Sequence, residues 1–160
     1  MVDSRGKGIK GERDSAAYFR AFGHPWQDAR RLVSTGWSNG STSSPDRGDL
    51  TGLPGLCVQV KNMARRLEGK LMADVWHATK QQASIDGLGR MPLILEKRAG
   101  SADVGRWWLH LASYDHVRLV TGRVMWVPSS HLVRVELGDV VNDLRLYSLE
   151  RSSAMGVDTH

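Results

Sequence analysis

Apolar and polar positions alternate along this chain in short blocks whose period changes several times. Residues 11–22, GERDSAAYFRAF, put Tyr18, Phe19 and Phe22 on one face of a helix, with Gly23 as its stop. Glu12 and Asp14 then fall in the first turn, where carboxylates complement the helix dipole. Pro25 forces an extended exit, and residues 26–33 read as a strand or extended arm. Residues 34–48, STGWSNGSTSSPDRG, read as a loop, and loops of that length in a compact domain are usually functional or mobile. Order resumes over 49–53, and Leu-Pro-Gly at 53–55 reads as a turn. Leu56–Lys61, LCVQVK, alternates, carries two valines and is the clearest strand in the chain. Residues 67–84 repeat at helical spacing through Leu71, Met72, Val75, Trp76, Thr79 and Ala83. Gln82, seven residues beyond Val75, shares that inward stripe. Residues 91–97 and 106–112 read as strands linked through Gly100–Ser101, and residues 113–121 as a short helix. Residues 125–127, 132–137 and 144–149 read as further short strands, and residues 152–160 as a frayed tail. Helix, strands, helix, strands is the order of an α/β domain with a mixed sheet.

A length of 160 residues fits one domain. Residues 1–151 are taken as that domain, with a core over about 5–112 and an extension over 113–151. An apolar share of 41% and a charged share of 24% belong to a globular chain rather than a disordered one. No run approaches the ~18 consecutive apolar residues of a membrane span. The amino-terminal stretch MVDSRGKGIKGERD has charge without a following apolar core, unlike a signal peptide. A cytoplasmic protein without membrane contact is the expectation. Cys57, the single cysteine, cannot make an internal disulfide framework. The cysteine and six histidines form neither CxxC nor HExxH, so no zinc site is expected. Gly6-Lys7-Gly8 lacks the remainder of a phosphate-binding loop.

Charge changes the picture more than composition does. Residues 1–80 hold 13 Lys and Arg against 8 Asp and Glu, whereas residues 81–160 hold 9 of each. The early cations cluster at Arg5, Lys7, Lys10 and Arg13, at Arg30 and Arg31, and at Arg65, Arg66 and Lys70. A basic half points to a polyanion, most often nucleic acid, although a solvated face would look the same. Arg5, Lys7 and Lys10 precede the expected helix start, where free N–H groups already favour phosphate. Trp37 is the one tryptophan placed to touch DNA; Trp76, Trp107, Trp108 and Trp126 read as core or interface.

Three features then fall in line: Glu12 on the first helix, Asp49 opening one strand, and Gln59-Val60-Lys61 ending the next. Residues two apart in a strand share a face, so Gln59 and Lys61 project together while Val58 and Val60 turn away. If the Asp49 segment pairs with this strand through the 53–55 turn, Asp49 joins them in a pocket of carboxylate, amide oxygen and ammonium. Such oxygen donors suit a hard cation, Mg²⁺ or Mn²⁺, that activates water and shields a phosphate.

This pattern resembles the PD-(D/E)xK nuclease superfamily, and more closely the phage Holliday junction resolvase-like proteins related to archaeal resolvases. The resemblance lies in KGERD at 10–14, the Arg30–Arg31 pair followed by Ser34, the Ser/Gly loop, RGDL at 47–50, VQVK at 58–61 and QQA at 81–83. It spans about residues 5–112. It implies a restriction-endonuclease-like mixed β-sheet flanked by helices. It further implies a homodimer that cuts four-way DNA junctions in recombination. Glu12, Asp49 and Gln59 would hold the metal, and Lys61 would assist catalysis. Arg5, Lys7, Lys10, Arg30, Arg31, Ser34 and Gln82 would contact DNA, with Gln82 near the scissile phosphate. The chain departs from the family pattern in having Gln59 where the family has a carboxylate, although nuclease subunits of some transposases look similar there and are active. Asp46, with the literal proline before it, competes with Asp49, which opens the strand and is preferred.

Each residue also has a plainer role open to it. Glu12 can simply complement the helix dipole. Asp49 can be a turn residue beside Gly48. Gln59 and Lys61 can be the solvent face of a strand, and Gln82 can satisfy backbone groups. Other functions on the same fold are a nicking or repair nuclease, or a DNA-binding protein whose nuclease site has decayed.

Overall fold

The computed structural model describes residues 4–32, 48–85, 87–124, 131–154 and 156. Helix α1 spans Ser4–Arg20 and so begins well before residue 11. Its buried stripe is built from small residues, Gly11, Ser15 and Ala16, before Phe19. Residues 6–10, ahead of that stripe, are exposed or half-buried, so hydrophobic periodicity gave the first two turns no signal. A methyl on Gly11 would stand 3.0 Å from Asn62 Cβ, so the glycine lets α1 close on the chain just beyond Lys61. Lys7 and Lys10 therefore lie within a helix rather than ahead of one, and Glu12 is central in it rather than in its first turn.

After α1 the chain turns through Trp26, which is fully buried edge-on to Phe19 with ring centres 5.1 Å apart. Within the described part, 26–32, of the strand or arm expected over 26–33, the strand is β1, Arg30–Arg31, paired antiparallel with β2, Leu50–Thr51. Tertiary packing explains its short length: Trp26 and Ala29 are buried in a turn, and the Ala29 N–H bonds the Trp26 carbonyl at 2.9 Å.

Four described strands form the main sheet in the order β3-β4-β5-β6: Leu56–Lys61, Met91–Glu96, Trp108–Ala112 and Leu132–Glu136. The β3 and β4 strands are parallel, and the remaining pairs are antiparallel, so the sheet is mixed. One face carries Leu56, Val58, Val60, Leu93, Leu95, Leu109 and Leu111 into the main core. It packs there with Phe19, Trp26, Trp107 and the buried residues of α4, Leu137–Ala154. The opposite face carries Cys57, Gln59 and Lys61, then Ile94 and Glu96, then Trp108 and His110, then Arg134 and Glu136 by register. Helix α2, Gly69–Ser84, packs on that side, and Cys57 Sγ lies 3.9 Å from the Thr79 carbonyl oxygen. Helix α3 spans Ser113–Thr121.

Two expectations fail at the carboxyl end. Residues 144–149 are helical, within α4, because Leu137, Val140, Val141, Leu144, Tyr147 and Ser148 follow a 3.6-residue stripe that leucine alternation obscured. The same helix continues to Ala154, into the expected tail. The strand expected at 125–127 lies outside the described residues. Among the described residues, no helix is long and apolar enough to cross a membrane.

The first turn of α3 carries a buried carboxylate, Asp115. Burial pushes its pKa up from 3.8 to about 6, with Arg118 opposing the shift. The folded state thus holds a proton that the unfolded chain releases in that interval, and stability falls as pH rises through it. An Asp115→Asn variant is expected to melt several degrees higher than the parent at pH 8, with no gain at pH 4. A melting difference that does not change with pH would contradict this.

Candidate active site

The site begins at a glycine. Gly48 has φ +98°, and a Cβ there would stand 2.8 Å from the Val58 carbonyl oxygen. The absence of that methyl lets the chain approach β3, where the Asp49 N–H donates to the Val58 carbonyl at 2.9 Å. The Asp49 segment reaches β3 through this bond and its side chain, while Leu50–Thr51 pairs with β1 instead. Asp49 Oδ2 accepts from Gln59 Nε2 at 2.7 Å and from the Val60 N–H at 2.6 Å. The carboxylate is thereby fixed against the edge of β3, beside the amide side chain. Lys61 follows two residues on, on the same face as Gln59.

Glu12 enters from α1. The Leu32 N–H donates to the Asp49 carbonyl at 2.8 Å, bringing Arg31 alongside. Arg31 Nε in turn donates to Glu12 Oε2. The two side chains are 27% and 17% exposed, so water screens this ion pair only partly. Being central in α1, Glu12 has no helix-dipole role; its plainer role is now the Arg31 ion pair.

Glu12 and Asp49 offer carboxylate oxygens and Gln59 an amide oxygen, all hard donors. As oriented, the amide gives Asp49 its NH₂, and turning it over presents its oxygen instead. Among the described residues no three His, Cys, Asp or Glu form a metal-binding group. A cation here would rest on two carboxylates, the Gln59 carbonyl and water. The donor set fits Mg²⁺ or Mn²⁺ held by few protein ligands, with Arg31 partly offsetting the negative charge.

The other predicted contacts scatter. Arg5 lies in α1. Lys7 is exposed, and its carbonyl accepts from Asn62 Nδ2 at 2.7 Å. Lys10 pairs with Asp14 at 2.6 Å. Arg30 is exposed on β1. Gln82 is half-buried in the last turn of α2, and its carbonyl accepts from Ile85 N–H. Ser34, Trp37, Asp46 and Trp126 lie outside the described residues. His77 is exposed, Trp107 is fully buried, and Cys57 is fully buried.

Sequence order concealed a second group. Arg65 and Arg66 after β3, Lys97 and Arg98 after β4, Trp108 on β5 and Arg134 on β6 converge at one end of the sheet. Of these only Arg65 and Arg66 formed a visible basic cluster. Strand pairing supplies the rest, from the half of the sequence with no net charge.

Comparison with protein-family models, curated proteins and solved structures finds no match to this chain.

Proposed function

We propose that this protein is a metal-dependent DNA endonuclease with a restriction-endonuclease-like core, acting on four-way junctions as a Holliday junction resolvase. The observation that carries the proposal is the Asp49–Gln59 contact one step from Lys61, tied through Arg31 to Glu12. Three donors and a lysine, drawn from a helix, a loop and a strand, fall in the order expected from the nuclease resemblance.

Glu12, Asp49 and Gln59 would hold Mg²⁺ or Mn²⁺, which when bound supplies an activated water and neutralises phosphate charge. Asp49 is oriented by the Val60 N–H, so its carboxylate is preset rather than ordered on binding. Lys61 holds the attacking water or stabilises the charge developing on the phosphate. Arg31 keeps Glu12 in place, and Arg30 beside it faces solvent, where it can meet a backbone phosphate. Paired cuts across a symmetric junction need two sites, so the working form is a homodimer. A phage or mobile element recombining its DNA in the host cytoplasm would use such an enzyme.

A second reading is favoured by two contacts. Gln59 gives Asp49 an NH₂, and Arg31 already balances Glu12, a network that is complete without a metal. That would describe a decayed site on a DNA-binding protein. A nicking or repair nuclease of the same fold is the remaining alternative, separated by substrate preference.

Substitutions test the site. Lys61→Ala is expected to lower cleavage by about 10²–10³-fold, as for removal of one preset stabilising group. Gln59→Glu is expected to keep or raise activity and to lower the Mg²⁺ concentration giving half-maximal rate. Asp46→Ala is expected to cleave like the parent. Loss of activity in Asp46→Ala but not in Asp49→Ala would transfer the metal to Asp46. Full activity in both Asp49→Ala and Lys61→Ala would overturn the assignment.

A further inference from the structure

At the carboxyl ends of β3 and β4, next to the candidate site, lies a cleft of about 270 Å³ lined by Arg65, Arg66, Lys97, Arg98 and Trp108 among others. Lys61 and Glu96 are register partners, and the Lys97 N–H donates to the Lys61 carbonyl at 2.8 Å, so cleft and site share a wall. The Arg98 guanidinium lies 4.9 Å from the centre of the Trp108 ring and that of Arg134 lies 4.6 Å from it. Four guanidiniums thus meet two carboxylates, and both carboxylates are engaged, while the Lys97 ammonium lies 5.6 Å from the centre of the Trp107 ring. Glu136 pairs with Arg98 at 2.6 Å. Glu96 is buried and bonds His110 Nε2 at 2.8 Å and the Leu67 N–H at 2.6 Å. Burial also lowers the pKa of His110, against the pull of Glu96 and with a smaller push from Arg66. Arg65, Arg66 and Arg134 are exposed. Among the described residues no carboxylate is paired with Arg65 or Arg66.

Cations held this close without matching acids favour a multiply charged anion. The Trp108 ring is engaged by Arg98 and Arg134, so it holds guanidiniums in position rather than offering its face to a base. Strands lie about 4.8 Å apart, so β3 to β6 spans about 14 Å, the rise of about four nucleotides. We propose that this cleft is a phosphate-backbone site that grips a nucleic-acid strand a few nucleotides from the bond at Lys61, independently of base sequence. The choice of nucleic acid rests on the function proposed above; the grip itself needs neither metal nor cleavage. Trp108 acts as a positioning residue.

The test is binding of a labelled four-way junction and a labelled duplex in EDTA, across a salt series. Each phosphate contact contributes about 0.9 to the slope of log K against log salt, or about eightfold in affinity at 0.1 M. The Arg65→Ala/Arg66→Ala double variant is expected to lose at least one contact's share of both slope and affinity, and Arg134→Ala about one. Trp108→Leu should weaken binding with the slope nearly kept, and Trp108→Phe should restore it. Arg123→Ala, an exposed cation just past α3, should bind like the parent. Unchanged slope and affinity in the double variant, with an unchanged melting curve, would overturn the proposal. So would an equal loss in Arg123→Ala, which would mean diffuse charge rather than a cleft. A protein that binds through the cleft but never cleaves in Mg²⁺ refutes the nuclease and keeps the cleft. One that cleaves while the double variant binds normally does the reverse.

Discussion

Asp49→Asn is expected to reduce metal-dependent cleavage by more than about 100-fold, since losing even an outer-shell partner of a metal costs about 10–100-fold and Asp49 is proposed as a direct ligand. The substitution removes charge and little else. An asparagine carbonyl can still accept the bonds from Gln59 Nε2 and the Val60 N–H that Asp49 Oδ2 accepts at 2.7 and 2.6 Å. The melting temperature should therefore move by only a degree or two, while the site loses one of its two carboxylates. Wild-type cleavage by Asp49→Asn would mean that Asp49 only braces the edge of β3. A large drop in melting temperature would instead show that its charge is structural.

Glu96→Ala is expected to cause the largest loss of stability among the polar substitutions. Glu96 is 4% exposed and holds two buried partners, His110 Nε2 and the Leu67 N–H. Removing it strands two buried donors away from water, at a cost of about 1–3 kcal/mol each. For a domain of this size that lowers the melting temperature by roughly 10 °C. Glu96→Gln should lose less, because the amide oxygen still accepts from Leu67. The Leu67 bond also ties down the segment carrying Arg65 and Arg66, so DNA affinity should fall in Glu96→Ala even where the protein remains folded. Thermal melts of the two variants decide this. A melting point for Glu96→Ala within 1 °C of the parent would show that water reaches the pair.

The strand bearing Gln59 and Lys61 was legible because it obeys one rule over its whole length. Alternation, two valines and a flanking Leu-Pro-Gly turn mark Leu56–Lys61, and β3 has those bounds. Helix α3 has the bounds of the short helix expected at 113–121. Helix α1 was half hidden because its first turns, residues 6–10, bury no apolar side chain. That concealment displaced Glu12 into an apparent first turn and gave it a dipole role it does not have. Residues 144–149 misled in the opposite way, since Leu144, Leu146 and Leu149 suggest a strand until Leu137, Val140 and Val141 are counted with them. At the site, the nearness of Asp49 to Gln59 could be anticipated from one short turn. The Arg31–Glu12 ion pair could not, because it depends on how β1 passes α1. The basic cleft was the least visible feature, since Arg98 and Arg134 meet only where β4, β5 and β6 align.

The most direct measurement offers purified protein a synthetic four-way junction and a linear duplex of matching sequence, with Mg²⁺ or EDTA, beside Lys61→Ala. Paired, symmetric nicks in the junction alone, present with Mg²⁺ and lost both in EDTA and in Lys61→Ala, are the predicted result. Tight junction binding with no cleavage in Mg²⁺ or Mn²⁺ would contradict it and identify a DNA-binding protein whose nuclease site no longer acts.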